Sequence, residues 1–120
     1  MAIRRVVPNI KGELNTENRQ FYGNVLGFDL AMDMGWIATF VSPTMPSAQV
    51  TLLNADPSTL HPDVSIEVDD VDAIHAKAVE NGIPIVYPLT DEPWGVRRFF
   101  AQDPNGLVIN IVSHRHTDRP

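Results

Sequence analysis

"PWGVRRFFAQDPNGLVINIV", residues 93–112, reads as a strand, a tight turn and a second strand. Asp103, Pro104, Asn105 and Gly106 are the residue types that a tight turn favours. In the second strand Asn110 stands between Ile109 and Ile111, and a period of two sends it to the face opposite its apolar neighbours. Ile109 and Ile111 share the opposite face. A carboxamide at that place raises the question of what is bound to it.

Outward from this hairpin the pattern is strand, helix, strand, strand, strand. "DVSIEV" (63–68) alternates as a strand does, and "DDVDAIHAKAVENG" (69–82) is a helix. Asp70 is its cap, Val71, Ile74 and Ala78 form its apolar face, and Gly82 ends it. "IPIVYP", "GVRRFFAQ" and "LVINIVS" follow as strands. The first half has the same order. "IRRVVPNI" (3–10) is a strand whose Pro8 suits an edge or a strand start. "LNTENRQFYGNVLGF" (14–28) is a helix capped by Asn15 or Thr16, with Phe21, Val25, Tyr22 and Leu26 as its stripe and Gly27 as its stop. "FDLAM", "WIATFVS" and "QVTLL" are three strands parted by Gly35 and by the loop "SPTMPSA". The fold class expected is α+β, two βαβββ modules in one chain. Module 1 covers about residues 1–56 and module 2 about 62–114, within a single domain over 1–120, and "STLHP" (58–62) is the joint.

Composition bounds the function. A chain of 120 residues, 43% hydrophobic and 20% charged, is one globular domain. No apolar run reaches the roughly 18 residues of a membrane span, and the N-terminus does not read as a signal peptide. With no cysteine there is no disulfide, thiolate metal site or Cys nucleophile, and the cytoplasm is the default location. A net charge of −6 argues against nucleic acid and suits a neutral or cationic ligand. No Gly-rich phosphate loop, Gly-x-Ser-x-Gly elbow or His-Glu-x-x-His is present, and no cofactor is expected.

The duplicated plan resembles the vicinal oxygen chelate superfamily of glyoxalases, extradiol dioxygenases and bleomycin resistance proteins. Its carriers are "FYGNVLGF" (21–28), "EVDDVDAIHAKAVENGI" (67–83) and above all the quoted stretch with Trp-Gly-x-Arg and Asp-Pro-x-Gly. "GWIATFVSPTMPSAQVTLLN" (35–54) is similar to the branch of glyoxalases and bleomycin resistance proteins. The resemblance implies that the modules' mixed sheets curl into a cup, commonly in a homodimer that exchanges modules. In metal-using members four His, Gln or Glu side chains in that cup hold a divalent ion. Here the four places fall on Val7 (or Val6), Thr51 (or Gln49), Asp63 and Asn110. One carboxylate in four is a poor donor set, so the expectation is that no metal is held. A non-standard site using His61, Asp63 and Glu67 is the metal-binding alternative. His75, His114 and His116 read as surface histidines.

Alternation places Asp63, Ser65 and Glu67 on the face of Asn110, with Arg98 and Phe100 joining them. Asn110 either contacts a ligand or hydrogen-bonds Asp63 or a buried water. Trp36 and Trp94 flank strand entries beside glycines, and Phe40 lies on a strand of open facing. Ligand-binding residues expected are therefore Trp36, Phe40, Asp63, Ser65, Glu67, Trp94, Arg98, Phe100 and Asn110. Each also has a structural explanation, Arg97 and Trp94 in particular, with Arg97 paired to a nearby acidic residue. Aromatic rings with carboxylates suit a flat, aromatic or cationic small organic molecule. The function expected is metal-independent small-molecule binding, with antibiotic or natural-product sequestration as the specific form. The competing class is a lyase, isomerase or dioxygenase, metal-dependent or metal-free, with Asp63 or Glu67 as its acid–base group. A non-catalytic subunit with a collapsed cup is a third.

Overall fold

The computed structural model describes residues 2–114. His116 lies outside the described residues. The chain divides into two compact units, one running from Val7 to His61 and the other formed by the residues up to Val6 together with those from Pro62 onward.

In the Val7–His61 unit, strand β1 (Ile3–Lys11, of which residues 7–11 belong here) is followed by α1 (Thr16–Asn18), and then by β2 (Asp29–Asp33), β3 (Ile37–Val41) and β4 (Gln49–Leu53). The strand order is β2-β3-β4-β1, antiparallel except for β1 against β4, where Asn9 lies opposite Thr51. Asn15 caps the helix, its side-chain oxygen accepting the Asn18 N–H at 2.8 Å. The helix does not keep its expected period. From Arg19 to Val25 it widens into a π-helical segment, closed by Gly27 at φ 87°. The expected apolar stripe is corrected accordingly. Tyr22 packs on Phe40, with ring centroids 5.5 Å apart, while Phe21, Val25 and Leu26 are exposed.

The other unit repeats the order: β5 (Val64–Val68), α2 (Val71–Glu80), β6 (Ile85–Asp91), β7 (Val96–Gln102) and β8 (Val108–His114), arranged β5-β8-β7-β6. Only the β5–β8 pair is parallel, with Ser65 opposite Asn110. First, fourth, third, second is thus the sequence of neighbours in both modules. Val71, Ile74 and Ala78 of α2 pack on Phe99, Ala101 and Ile111, with Ile109 beside them. That contact is why the period-two reading of β7 and β8 holds: apolar side chains leave water on the helix side. His75 also lies on this side, its ring edge-on to Phe99 at 4.9 Å, so it is a packing residue and not a solvated one.

The N-terminal part of β1 joins this second unit, where the Asp69 N–H donates to the Ala2 carbonyl at 3.2 Å and the Ala2 N–H to the Asp69 carboxylate at 3.0 Å. β1 thus gives its first residues to one unit and its last to the other.

Candidate functional site

The face of the second module's sheet away from α2 carries the residues that the sequence singled out. Two rows cross it. In one, Ser65 of β5, Asn110 of β8 and Phe100 of β7 lie side by side, with Tyr87 of β6 beyond; in the other, Glu67, Val112, Arg98 and Thr90 do.

Asn110 is 8% exposed, and its Nδ2 donates to the Ser65 hydroxyl at 3.0 Å. Its Oδ1 is buried without a partner. Asp63 is not its neighbour by hydrogen bonding. The Asp63 carboxylate accepts the Val108 N–H at 2.9 Å while the Asp63 N–H donates to the Val108 carbonyl at 2.8 Å, so Asp63 locks the start of β8 to the entry of β5.

Arg98 is the most enclosed charge on this face. Its guanidinium carbon lies 5.2 Å from the ring centroid of Tyr87, 5.1 Å from Trp94 and 4.7 Å from Phe100. Its Nε donates to Glu92 Oε2 at 2.7 Å, and the same oxygen accepts the Tyr87 hydroxyl at 2.8 Å. The side chains of Arg98 and Glu92 are only 4% and 8% exposed. Cation–π contacts strengthen on desolvation, to about 2 kcal/mol or more each. The three rings and the carboxylate therefore form a box around the protein's own cation. Tyr87 and Glu92 were not singled out from sequence. Tyr87 carried a signal, as the residue that alternation sets beside Phe100; Glu92 carried none.

Glu67 is engaged by Arg5, whose Nε donates to Oε1, and by His114, whose Nδ1 donates to Oε2 at 2.8 Å. Burial would raise the Glu67 carboxyl, but the hydrogen bonds and charges of Arg5 and His114 outweigh it and hold the group below the usual carboxylate range. His114 is thus a surface histidine, as expected, but one that ends a strand and has a carboxylate partner. Arg97 points elsewhere, pairing with Asp72 at 2.9 Å and Asp91 at 3.2 Å, as expected of a structural arginine.

In the other unit Thr51 and Asn9 form the corresponding pair, the Thr51 hydroxyl donating to Asn9 Oδ1. Asn9 too escaped the sequence reading, although it is two residues from Val7 and shares its face. Phe40 lies opposite Val50, hence on the other face from Thr51, against Tyr22. Trp36 is half-buried at the entry of β3, its carbonyl accepting the Asn54 N–H.

The superfamily resemblance marks two positions in each unit as places for a metal ligand. Asn110 faces Ser65 and Thr51 faces Asn9; two residues before Ser65 and Asn9 stand Asp63 and Val7. Val7 is buried whereas Val6 is exposed, which selects Val7. These residues do not fit a metal ion. One is an isopropyl group, one a hydroxyl already hydrogen-bonded, one a carboxylate accepting an amide, and one a neutral carboxamide. His61 donates from Nε2 to the Asn9 carbonyl at 3.1 Å, and Glu67 is taken up by Arg5 and His114. Among the described residues no three His, Asp or Glu side chains are grouped to hold a metal, so the alternative set of His61, Asp63 and Glu67 is not assembled.

Residues 16–111 match the Glyoxalase/Bleomycin resistance protein/Dioxygenase superfamily, and the chain belongs to that superfamily. No curated protein matches it. Among solved structures it is similar to a glyoxalase/bleomycin resistance protein/dioxygenase superfamily member from Vibrio splendidus 12B01, at 18% identity and TM-score 0.68 over 93% of this chain and 99% of that one. Methylmalonyl-CoA epimerase from Mycobacterium tuberculosis aligns at 19% identity and TM-score 0.69, covering 95% and 88%. The Mn(II)-bound glyoxalase from Novosphingobium aromaticivorans aligns at 22% identity and TM-score 0.64, covering 98% of this chain and 42% of that one. At these identities the likeness is one of fold. Among the described residues no helix is long and apolar enough to cross a membrane.

Proposed function

We propose that this chain binds a small organic molecule without a metal, on the face of the second module that carries Ser65, Phe100 and Asn110. The observation carrying this reading is the unpartnered Asn110 Oδ1. A buried acceptor left unmade costs about 1–3 kcal/mol. A ligand bearing an N–H or O–H recovers that cost when small shifts open the oxygen to it. Tyr87, Trp94 and Phe100 already hold Arg98, which favours a neutral, hydrogen-bond-donating ligand over a cationic one. Sequestration of an aromatic natural product is the specific form of this function, with a cytoplasmic homodimer as the working assembly.

The test is calorimetric titration of aromatic natural products, bleomycin included, against the wild type and Asn110→Leu. Binding tighter than about 1 mM is expected, with at least a tenfold loss in the variant. The free variant should be no less stable than the wild type, because the substitution removes an unsatisfied acceptor. If no compound binds, or if Asn110→Leu binds as well as the wild type, the reading fails. Elemental analysis after loading with Zn²⁺, Ni²⁺, Mn²⁺ and Fe²⁺ in turn should find no stoichiometric metal. About one ion per chain, lost on changing Asp63, would favour the enzyme instead.

A further inference from the structure

The box around Arg98 is built so that its walls hold one another. Phe100 is fully buried, and the Tyr87 ring lies against it with centroids 4.9 Å apart. The Tyr87 hydroxyl donates to Glu92 Oε2 at 2.8 Å. Glu92 and Trp94 sit on the turn between β6 and β7, which the backbone closes. The Glu92 N–H donates to the Val96 carbonyl at 2.8 Å, and the Gly95 N–H to the Glu92 carbonyl at 3.1 Å. Gly95 takes φ 96°, a left-handed conformation that glycine adopts without a side-chain clash. Arg98 makes none of these contacts. The box is therefore a preformed receptor, and a guanidinium is what fills it.

Its chemistry is that of a site for a flat organic cation. Ring faces attract positive charge through their quadrupole, and a planar guanidinium also stacks on them. Glu92 supplies the countercharge, accepting the Arg98 Nε–H at 2.7 Å. We infer that Tyr87, Trp94, Phe100 and Glu92 form a binding site for an alkylguanidinium cation, in which Arg98 is the resident ligand tethered by its own strand. A tethered ligand acts at a high effective concentration, so a free cation does not displace it. Arg98 thereby closes the cage to outside cations, and removing its side chain opens the cage to them. Tyr87 and Trp94 are only partly buried, which puts the mouth of the cage at the surface. The side-chain contacts that build the cage do not involve Asn110, so it stands apart from the ligand proposed there.

The experiment uses ethylguanidinium, which replaces the atoms that Arg98→Ala removes, and ethylurea as its uncharged counterpart of similar shape. Each is added at up to tens of millimolar, far below denaturing levels, to the full chain of the wild type and of Arg98→Ala. Thermal unfolding is followed by circular dichroism. Ethylguanidinium should raise the melting temperature of Arg98→Ala saturably, because a ligand that binds only the folded state stabilises it. The Kd expected is tighter than about 10 mM. Ethylurea should bind roughly tenfold more weakly or worse, lacking the charge that the rings attract, and neither compound should raise the melting temperature of the wild type. Arg98→Ala strands the Glu92 carboxylate and can fail to fold. Arg98→Ala combined with Glu92→Gln strands no charge, and in that variant too ethylguanidinium should stabilise more than ethylurea. No stabilisation of either variant by ethylguanidinium, equal effects of the two compounds, or an equal rise in the wild type overturns the inference.

Discussion

Glu92 and Arg98 illustrate what a single residue can decide in this protein. The pair is buried, so removing one partner leaves the other charge stranded in an apolar box. Breaking such a pair costs about 3–5 kcal/mol, whereas replacing both members by apolar groups is often nearly neutral. Glu92→Ala is therefore expected to lower the urea midpoint sharply, while a double replacement, Glu92→Leu with Arg98→Met, recovers much of the loss. A double-mutant cycle that found the two changes additive would show that the box does not act as a unit. Asn110 was legible as a residue out of place because its neighbours fix its facing. Glu92 was not, since six positions and a turn separate it from Arg98 and no period links them. The bond between Arg5 and Glu67 spans sixty-two positions and is equally invisible to local pattern.

Among the elements, caps and turns were the most readable parts. Asp70 Oδ1 accepts the Ala73 N–H at 3.1 Å, and the first turn of α2 is further tied down by Ser113, whose hydroxyl accepts the Val71 N–H and donates to the Val68 carbonyl. Asp70→Ala should cost about 1 kcal/mol of stability, read as a lower midpoint in denaturant with unchanged slope; no change would mean that Ser113 alone anchors the helix. The DPNG turn follows its sequence as closely. Asp103 accepts the Leu107 and Asn105 N–H groups at 2.9 and 2.8 Å, and Gly106 takes φ 87°. The π-helical widening at Arg19–Val25 had no such signature. Residue spacing favours an ordinary helix there, and it is packing of Tyr22 on Phe40 that accompanies the different turn. Module order, by contrast, was plain, because two copies of one pattern of strands and helix confirm each other.

For the whole molecule, the arrangement about Glu67 predicts how the protein meets acid. Its folded carboxyl is depressed by Arg5 and His114. A depressed carboxyl adds stability that is fully present above the ordinary glutamate range, near pH 4.3, and is lost as pH falls through the lower folded value. Asp103, lowered chiefly by the Leu107 amide, acts in the same sense though it is exposed. Glu67→Gln should therefore be less stable than the wild type at pH 6 and should lose less on going to pH 3. Parallel acid limbs for the two proteins would show that Glu67 does not set the response.

The divided allegiance of β1 reaches beyond the finished fold, to the order in which it is made. On a ribosome adding about 5–20 residues per second, the unit from Val7 to His61 is complete as soon as its last residue emerges. Residues 2–6, made before that unit, find their partners only after Pro62 and the strands beyond it have been synthesised. These residues must wait several seconds for those partners while younger segments fold. Ile3 and Val6 are apolar and exposed even at the end of that wait, which gives a chaperone reason to hold this segment while the chain grows.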